Sequence, residues 1–167
     1  MRSLKISIQQ QDFSIEDECT AMRAEHKNIG ALATFTGLVR EMDEELDDAS
    51  SGQQNISSLF LEHYPGMTEK NLHEIAEEAD QRWSLLDVVI IHRIGELKVS
   101  EQIVFVGVSS MHREAAFAAC AFIMDFLKTK AAFWKKSNNN DSTGHWVEAK
   151  KSDAEATEKW AETKEKR

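Results

Sequence analysis

From Leu86 to Ala131 the sequence leaves the chain few ways to fold. Leu86 to Ile94 and Gln102 to Ser109 are apolar, β-branched runs of strand length, separated by Gly95-Glu-Leu-Lys-Val-Ser, a connection short enough to favour an antiparallel hairpin. A helix is predicted directly afterwards, from about Arg113 to Ala131, and between Ala115 and Phe126 its apolar residues nearly surround it. A helix of that kind is expected to be largely buried. The chain is long enough to bury it: 167 residues, 41% of them hydrophobic, suit one soluble domain in which about 70% of the unfolded surface can be covered. Two large domains are excluded, and no disulfide staple is required. Cys19 and Cys120 are expected to be buried thiols, since two cysteines without a nearby histidine pair make a poor zinc site.

The remaining elements follow from local pattern. Leu4, Ile6 and Ile8 alternate with polar residues as a first strand, and Ser14 and Asp17 have the spacing of a helix cap over residues to about Lys27. Gly30 ends that helix. Ile29 to Val39 reads as a strand, Ser57 to His63 as another, and Tyr64-Pro65-Gly66 as the turn that launches a helix from about Thr68 to Trp83, with Leu72, Ile75, Ala76 and Ala79 on one face. His145 to Ala149 has the pattern of a short strand. The order β-α-β-β-α-β-β-α, with segregated helices, predicts an α+β two-layer domain with a mostly antiparallel sheet. Residues 1–150 thus form a single domain interrupted by an acidic loop at 41–55, and 151–167 a charged helical tail.

Twenty basic residues against 29 acidic give a net charge of -9, which argues against nucleic acid and anionic membranes as partners. Six of the acids lie between Glu41 and Asp48, so one segment carries most of the imbalance. By contrast, His112 to Lys136 holds Arg113, Lys128, Lys130, Lys135 and Lys136 against Glu114 and Asp125. No signal peptide or membrane span is apparent, and a reducing cytoplasm is the expected setting. Walker, G-x-G-x-x-G, H-E-x-x-H and G-x-S-x-G motifs are all absent, which leaves a cationic chemistry suited to a phosphorylated small molecule or a carboxylate-bearing partner.

Lys128 is the most informative candidate. It lies within about 20° of Phe117 and Ala121 on the helical wheel, beside Met124, so an ammonium sits on an apolar stripe; a further helical turn would bring Lys135 onto the same line. Two readings stand: a stem that snorkels at a helix C-terminus, or a partly desolvated amine used in catalysis. His112-Arg113, where strand passes to helix, suits an anion such as phosphate, or is a surface pair at an ordinary helix start. Arg40 is either a binding arginine or the first solvated residue after a strand. His92, Arg93, His63 and Tyr64 read first as structural.

Six segments are recognisable together: FTGLVR (Phe35 to Arg40), LEHYPGMTEK (Leu61 to Lys70), IHRIGEL (Ile91 to Leu97), IVFVGVSSMHR (Ile103 to Arg113), FIMDFLKTKAAFWKK (Phe122 to Lys136) and WVEAKKSD (Trp146 to Asp153). In this order they closely resemble the large, catalytic subunit family of molybdopterin synthase. The resemblance implies an α/β hammerhead fold and a sulfurtransferase of molybdenum cofactor biosynthesis. A small ubiquitin-like subunit ending in Gly-Gly would bring sulfur as a C-terminal thiocarboxylate, and cyclic pyranopterin monophosphate would receive two sulfurs as the dithiolene of molybdopterin. It further implies a homodimer within a heterotetramer, with no cofactor or metal of its own. By the same resemblance Lys128 and Lys135 are the catalytic lysines, and Val39, Arg40, His112, Arg113 and Lys136 bind substrate, His112 and Arg113 reaching across from the other subunit.

Four positions depart from the family pattern: Leu38 where lysine is frequent, Lys130 and Lys150 where arginine is usual, and Ala132 where proline is usual. Lysine in place of arginine keeps the charge and loses the bidentate fork. Two rival readings remain: a scaffold that docks the sulfur carrier without catalysis, and a phosphometabolite-binding module needing no protein partner. The presence of Lys128, Lys135, Arg40, His112 and Arg113 together favours the enzyme, because a scaffold would need no such set.

Overall fold

A computed structural model of the chain describes residues 1–40, 56–131, 133–139, 144–147 and 156–161. The acidic segment 41–55 and the departures at Ala132 and Lys150 lie outside these. Among the described residues the order is β1 (Ser3–Gln9), α1 (Ile15–Glu25), β2 (Ala31–Leu38), β3 (Ile56–His63), α2 (Met67–Trp83), β4 (Asp87–Arg93), β5 (Gly95–Lys98), β6 (Gln102–Ser110), α3 (Arg113–Lys130), β7 (Phe133–Asn139) and β8 (Gly144–Val147).

The first sheet has the order β1-β4-β6-β2 and is antiparallel except between β1 and β4. Every residue of β4 is buried, as a strand at the centre of a sheet covered on both faces should be. Alternation divides its side chains. Val88 and Ile90, with Val104, Val106 and Val108 of β6, face α2 and α3, while Val89, Ile91 and Phe105 pack with Phe13 and Met22 beneath α1. The helices form where the sequence predicts them. Ser14 caps α1 by accepting the Asp17 N–H at 3.2 Å, and Leu72, Ile75, Ala76 and Ala79 of α2 are all essentially inaccessible. Gly66, at φ +83°, starts α2, its N–H donating to the Glu69 carboxylate at 2.6 Å.

β4 and β6 pair antiparallel as expected, yet the link between them is itself a strand. Gly95 adopts φ +83°, open to glycine at no cost, and turns the chain out of the first sheet, so that β5 pairs with β3. Ser100, at φ +70°, returns it to β6. The sequence leaves Ser137 to Gly144 polar and loop-like; the structure instead carries Phe133–Asn139 as β7 on the other edge of β3, and β8 follows. The α+β domain therefore holds two four-stranded sheets, the second in the order β5-β3-β7-β8 around a core of Val39, Leu59, Leu61 and Leu97. Of the charged tail, Trp160 packs edge-on against Trp83 and Phe122, and its indole N–H donates to Asp125 at 2.8 Å.

Candidate active site

α3 folds back across the first sheet, with the Cys120 thiol 3.9 Å from the Val106 carbonyl at mid-strand. The helix is amphipathic in a way its composition hides. Ala116, Ala119, Cys120, Phe122, Ile123, Phe126 and Leu127 are buried, whereas Phe117 is 68% exposed, Ala121 is exposed and Met124 is half-buried. The largely buried helix expected from sequence is corrected: one sheet face, shared with α2, covers only one side of α3. The uncovered apolar stripe runs down to Lys128, exposed in the last turn. Phe35, 41% exposed on edge strand β2, stands on the same side of the sheet, since it alternates with the buried Ala33.

The end of α3 is well held. The Lys130 carbonyl accepts from the Asn71 side chain at 2.9 Å, and the Lys130 ammonium lies 4.2 Å above the Phe126 ring and 3.7 Å from Glu78. Ala131 is extended (φ -74°, ψ 128°), so the helix stops there. Lys135 consequently does not continue the helical line. It lies on β7 opposite Leu61, with Lys136 opposite Phe60. The physical cause sits two residues earlier, where Phe133 pairs with His63 and stacks on the His92 ring at 3.8 Å, drawing the chain into a strand.

Val39 follows a bulge at the end of β2. Its N–H donates to the Glu101 carbonyl at 2.9 Å, its carbonyl accepts from Ser100 at 2.8 Å, and its side chain is buried among Leu59, Leu61 and Leu97. Val39 is thus an anchor that sets the exposed Arg40 immediately beyond it. β2 and α3 both run opposite to β6, so Arg40, Lys128 and the start of β7 gather at one end of the first sheet.

His112 and Arg113 lie at the other end. His112 is the N-cap of α3, with extended backbone, and both side chains are exposed. Fifteen residues of helix separate Arg113 from Lys128, about 22 Å at 1.5 Å per residue. One copy of the chain therefore brings Arg40 and Lys128 to a common end and leaves His112 and Arg113 far from them.

The other polar candidates are built into the fold. His92 is buried and donates from Nδ1 to the Arg93 carbonyl at 2.8 Å; burial pushes its pKa down to about 4, keeping the ring neutral. The buried Arg93 bonds the carbonyls of Gln10 at 3.2 Å and Gln102 at 2.9 Å. Tyr64 differs from expectation in being exposed, edge-on to Trp134 at 6.4 Å. Sequence reasoning missed a buried network of His26, Asp87 and Ser109, whose signal was an aspartate opening an otherwise apolar strand. Cys19 and Cys120 are free, and burial raises the Cys120 thiol to about 11. Among the described residues no group of three His, Cys, Asp or Glu is placed to hold a metal ion, and no helix is long and apolar enough to cross a membrane.

An α+β domain of two four-stranded sheets among the described residues, with helices packed on the first and with Arg40 and Lys128 towards one end of α3 and His112 and Arg113 at the other, defines the fold class. The family model described as MoaE protein matches residues 8–130. The molybdopterin synthase catalytic subunit of Vibrio cholerae is 49% identical over 156 residues, 93% of this chain and 97% of that one. A solved molybdopterin biosynthesis MoaE protein from Burkholderia ambifaria superposes with a TM-score of 0.77 at 45% identity, covering 96% of this chain and 99% of the other. A solved molybdopterin synthase from Staphylococcus aureus gives 0.73 at 29% identity, covering 85% and 96%. The chain belongs to the MoaE family, the catalytic subunits of molybdopterin synthase.

Proposed function

We propose that this chain is the catalytic subunit of a molybdopterin synthase, moving sulfur from the C-terminal thiocarboxylate of a small ubiquitin-like subunit to cyclic pyranopterin monophosphate. Family membership over most of the chain carries this reading. In each transfer a C–S bond forms at a substrate carbon as a C–O bond there breaks, its oxygen leaving as water or on the phosphate; the partner's acyl C–S bond then breaks, a water supplies the replacing oxygen, and the partner leaves as an ordinary carboxylate. The sulfur thus arrives on a protein, and the reading needs no resident cofactor or metal. Its setting is the cytoplasm.

Lys128 is the proposed catalytic group, with Lys135 as its companion. An ammonium at Lys128 stabilises the oxyanion that develops when the thiocarboxylate carbonyl is attacked. A neutral amine there takes the acyl group as a transient adduct that water then cleaves. Lys128→Arg separates the two, because arginine keeps the charge and forms no such adduct. Val39, Arg40, His112, Arg113 and Lys136 are the proposed substrate-binding set, the cations matching the substrate's cyclic phosphate. The separation of about 22 Å between Arg113 and Lys128 supports assembly of each site from two copies, one supplying Lys128 and Arg40 and its partner supplying His112 and Arg113. The exposed Phe117 and Ala121, with Phe35 on the same side of the sheet at an edge left unpaired among the described residues, are the kind of apolar surface a homodimer covers. A small subunit on each copy completes a heterotetramer.

The test is single-turnover conversion of cyclic pyranopterin monophosphate by thiocarboxylated small subunit, with wild type and Lys128→Ala side by side. Product from the wild type alone is expected. Product from neither, with partner binding intact, overturns the enzyme reading in favour of a docking scaffold.

A further inference from the structure

The backbone that presents His112 and Arg113 is pinned from several directions by residues that do not reach the surface there. Ser109, fully buried, donates its hydroxyl to Asp87 Oδ2 at 2.7 Å and accepts the Asp87 N–H at 2.9 Å, a reciprocal pair between the start of β4 and the end of β6. Asp87 is itself 2% exposed, and its other carboxylate oxygen lies 2.9 Å from His26 Nε2, at the C-cap of α1. The Ser109 carbonyl accepts from Leu86 at 2.9 Å, so the strand end is held by main chain as well. One residue further on, the Ser110 carbonyl accepts the Gly30 N–H at 3.0 Å, and the Ser110 hydroxyl faces the His112 N–H at 3.4 Å. At Gly30 an added Cβ would stand 2.2 Å from the Met111 carbonyl oxygen, so the chain can pass there only as glycine.

A buried carboxylate needs its partners. The Ser109 hydroxyl at one oxygen and the His26 imidazole at the other satisfy it, and such a network, once complete, tolerates little displacement of its members. Its location gives it a use, since Ser109 lies three residues before His112. We infer that Asp87 and Ser109 are positioning residues for the anion-binding pair: by fixing the end of β6 against β4 and α1, they set the height and direction at which α3 begins, and with it where His112 and Arg113 meet the substrate's phosphate. This rests on the proposed function of that pair and adds the residues that hold it in place. In the proposed site His112 and Arg113 hold the substrate's phosphate while Lys128 of the other copy serves the sulfur transfer, so a defect here acts on binding rather than on the sulfur-transfer step.

The experiment uses the assembled enzyme with thiocarboxylated small subunit, comparing wild type, Ser109→Ala, Asp87→Ala and the conservative Asp87→Asn, whose amide oxygen still accepts from Ser109. Each variant is first confirmed as a folded dimer by size exclusion and thermal melting. If Asp87→Ala does not fold, Ser109→Ala, which removes a single oxygen, carries the test alone. For Ser109→Ala and Asp87→Ala the KM for cyclic pyranopterin monophosphate is expected to rise about tenfold, the size of one lost charge-assisted hydrogen bond, with kcat within twofold and affinity for the small subunit unchanged. Asp87→Asn should restore most of the KM. Amide hydrogen exchange over residues 109–114 should quicken in Ser109→Ala and stay slow in Asp87→Asn. A folded Ser109→Ala enzyme with wild-type KM overturns the inference, as does a fall in kcat equal to the rise in KM. A wild type that makes no product overturns the proposed function, and the inference with it.

Discussion

The two ends of α3 are secured by different physics. At the N-terminal end the strand before His112 is tied by hydrogen bonds among the buried Asp87 and Ser109 and the partly buried His26, with Gly30 pressed against the Met111 carbonyl. At the C-terminal end ring packing and ion pairs join the Asn71 hydrogen bond to the Lys130 carbonyl. Phe122 packs on Phe126 at 4.4 Å, Trp160 packs on Phe122 and bonds Asp125, Lys159 reaches the same carboxylate at 2.7 Å, and His92 stacks on Phe133. Hydrogen bonds in a dry interior fix direction closely, while ring packing and exposed ion pairs tolerate small displacements. The proposed anion-binding role of His112 and Arg113 calls for the first kind of support, and the proposed role of Lys128 at an incoming tail for the second.

This contrast can be broken or sharpened by experiment, and the largest effect is expected at Lys128. Lys128→Ala should lower single-turnover sulfur transfer by about 10³-fold, within the range for loss of a catalytic acid–base or electrostatic group, with an unchanged melting temperature. A fall of less than tenfold would remove Lys128 from the centre of the site.

The next effect is on stability and belongs to the C-terminal end. The folded pKa of His92 lies below that of the unfolded chain, so the unfolded state binds a proton first as pH falls. Stability contributed by the neutral ring is fully present above pH 6.5 and is lost as pH drops towards 4, up to about 3 kcal/mol. Denaturant titrations between pH 7 and 4 should show this slope in the wild type and a shallower one in His92→Phe. Equal slopes would mean that the imidazole titrates freely in the folded protein.

At the N-terminal end, Arg113→Ala should raise the substrate KM about thirtyfold, equivalent to about 2 kcal/mol, and leave kcat nearly unchanged. Mixing it with Lys128→Ala sharpens the result. If each site draws Lys128 from one copy and Arg113 from the other, mixed dimers contain one site with both defects and one intact site, and activity returns. If both residues serve within one copy, every site keeps a defect and mixing restores nothing.

The smallest effect is expected for Trp160→Ala. Removing a half-buried indole from Trp83, Phe122 and Asp125 should cost about 2 kcal/mol, lowering the melting temperature by about 4 to 8 °C. The KM should stay constant, because the indole packs on Trp83, Phe122 and Asp125 and on none of the proposed substrate-binding residues. An altered KM would show that the two ends of α3 are not independent.

Much of this architecture is legible in the order of residues. The cap at Ser14, the apolar face of α2 and the strand alternation of β4 and β6 are local patterns, and local backbone and side-chain periodicity is enough to produce them. β5 and β7 escape such reading for opposite reasons. β5 has only four residues, too few to show a period, and β7 is polar over much of its length, so its strand character comes from pairing with β3. Lys135 moved with it, from an imagined helix to a strand.

The candidate site divides the same way. Its residue types, and the family they indicate, are carried by contiguous motifs, and the distance between Arg113 and Lys128 follows from helical rise alone. Which side of α3 would be covered could not be read from a helix apolar nearly all round, because burial depends on what the sheet and α2 leave open. Nor could the partnership of His26, Asp87 and Ser109, three residues from three elements. The sequence by itself determined most of the elements and the family; only the tertiary structure decided the division into two sheets, the uncovered stripe leading to Lys128 and the network behind His112. Those depend on contacts between segments distant along the chain, whose energies exist only once the chain has closed on itself.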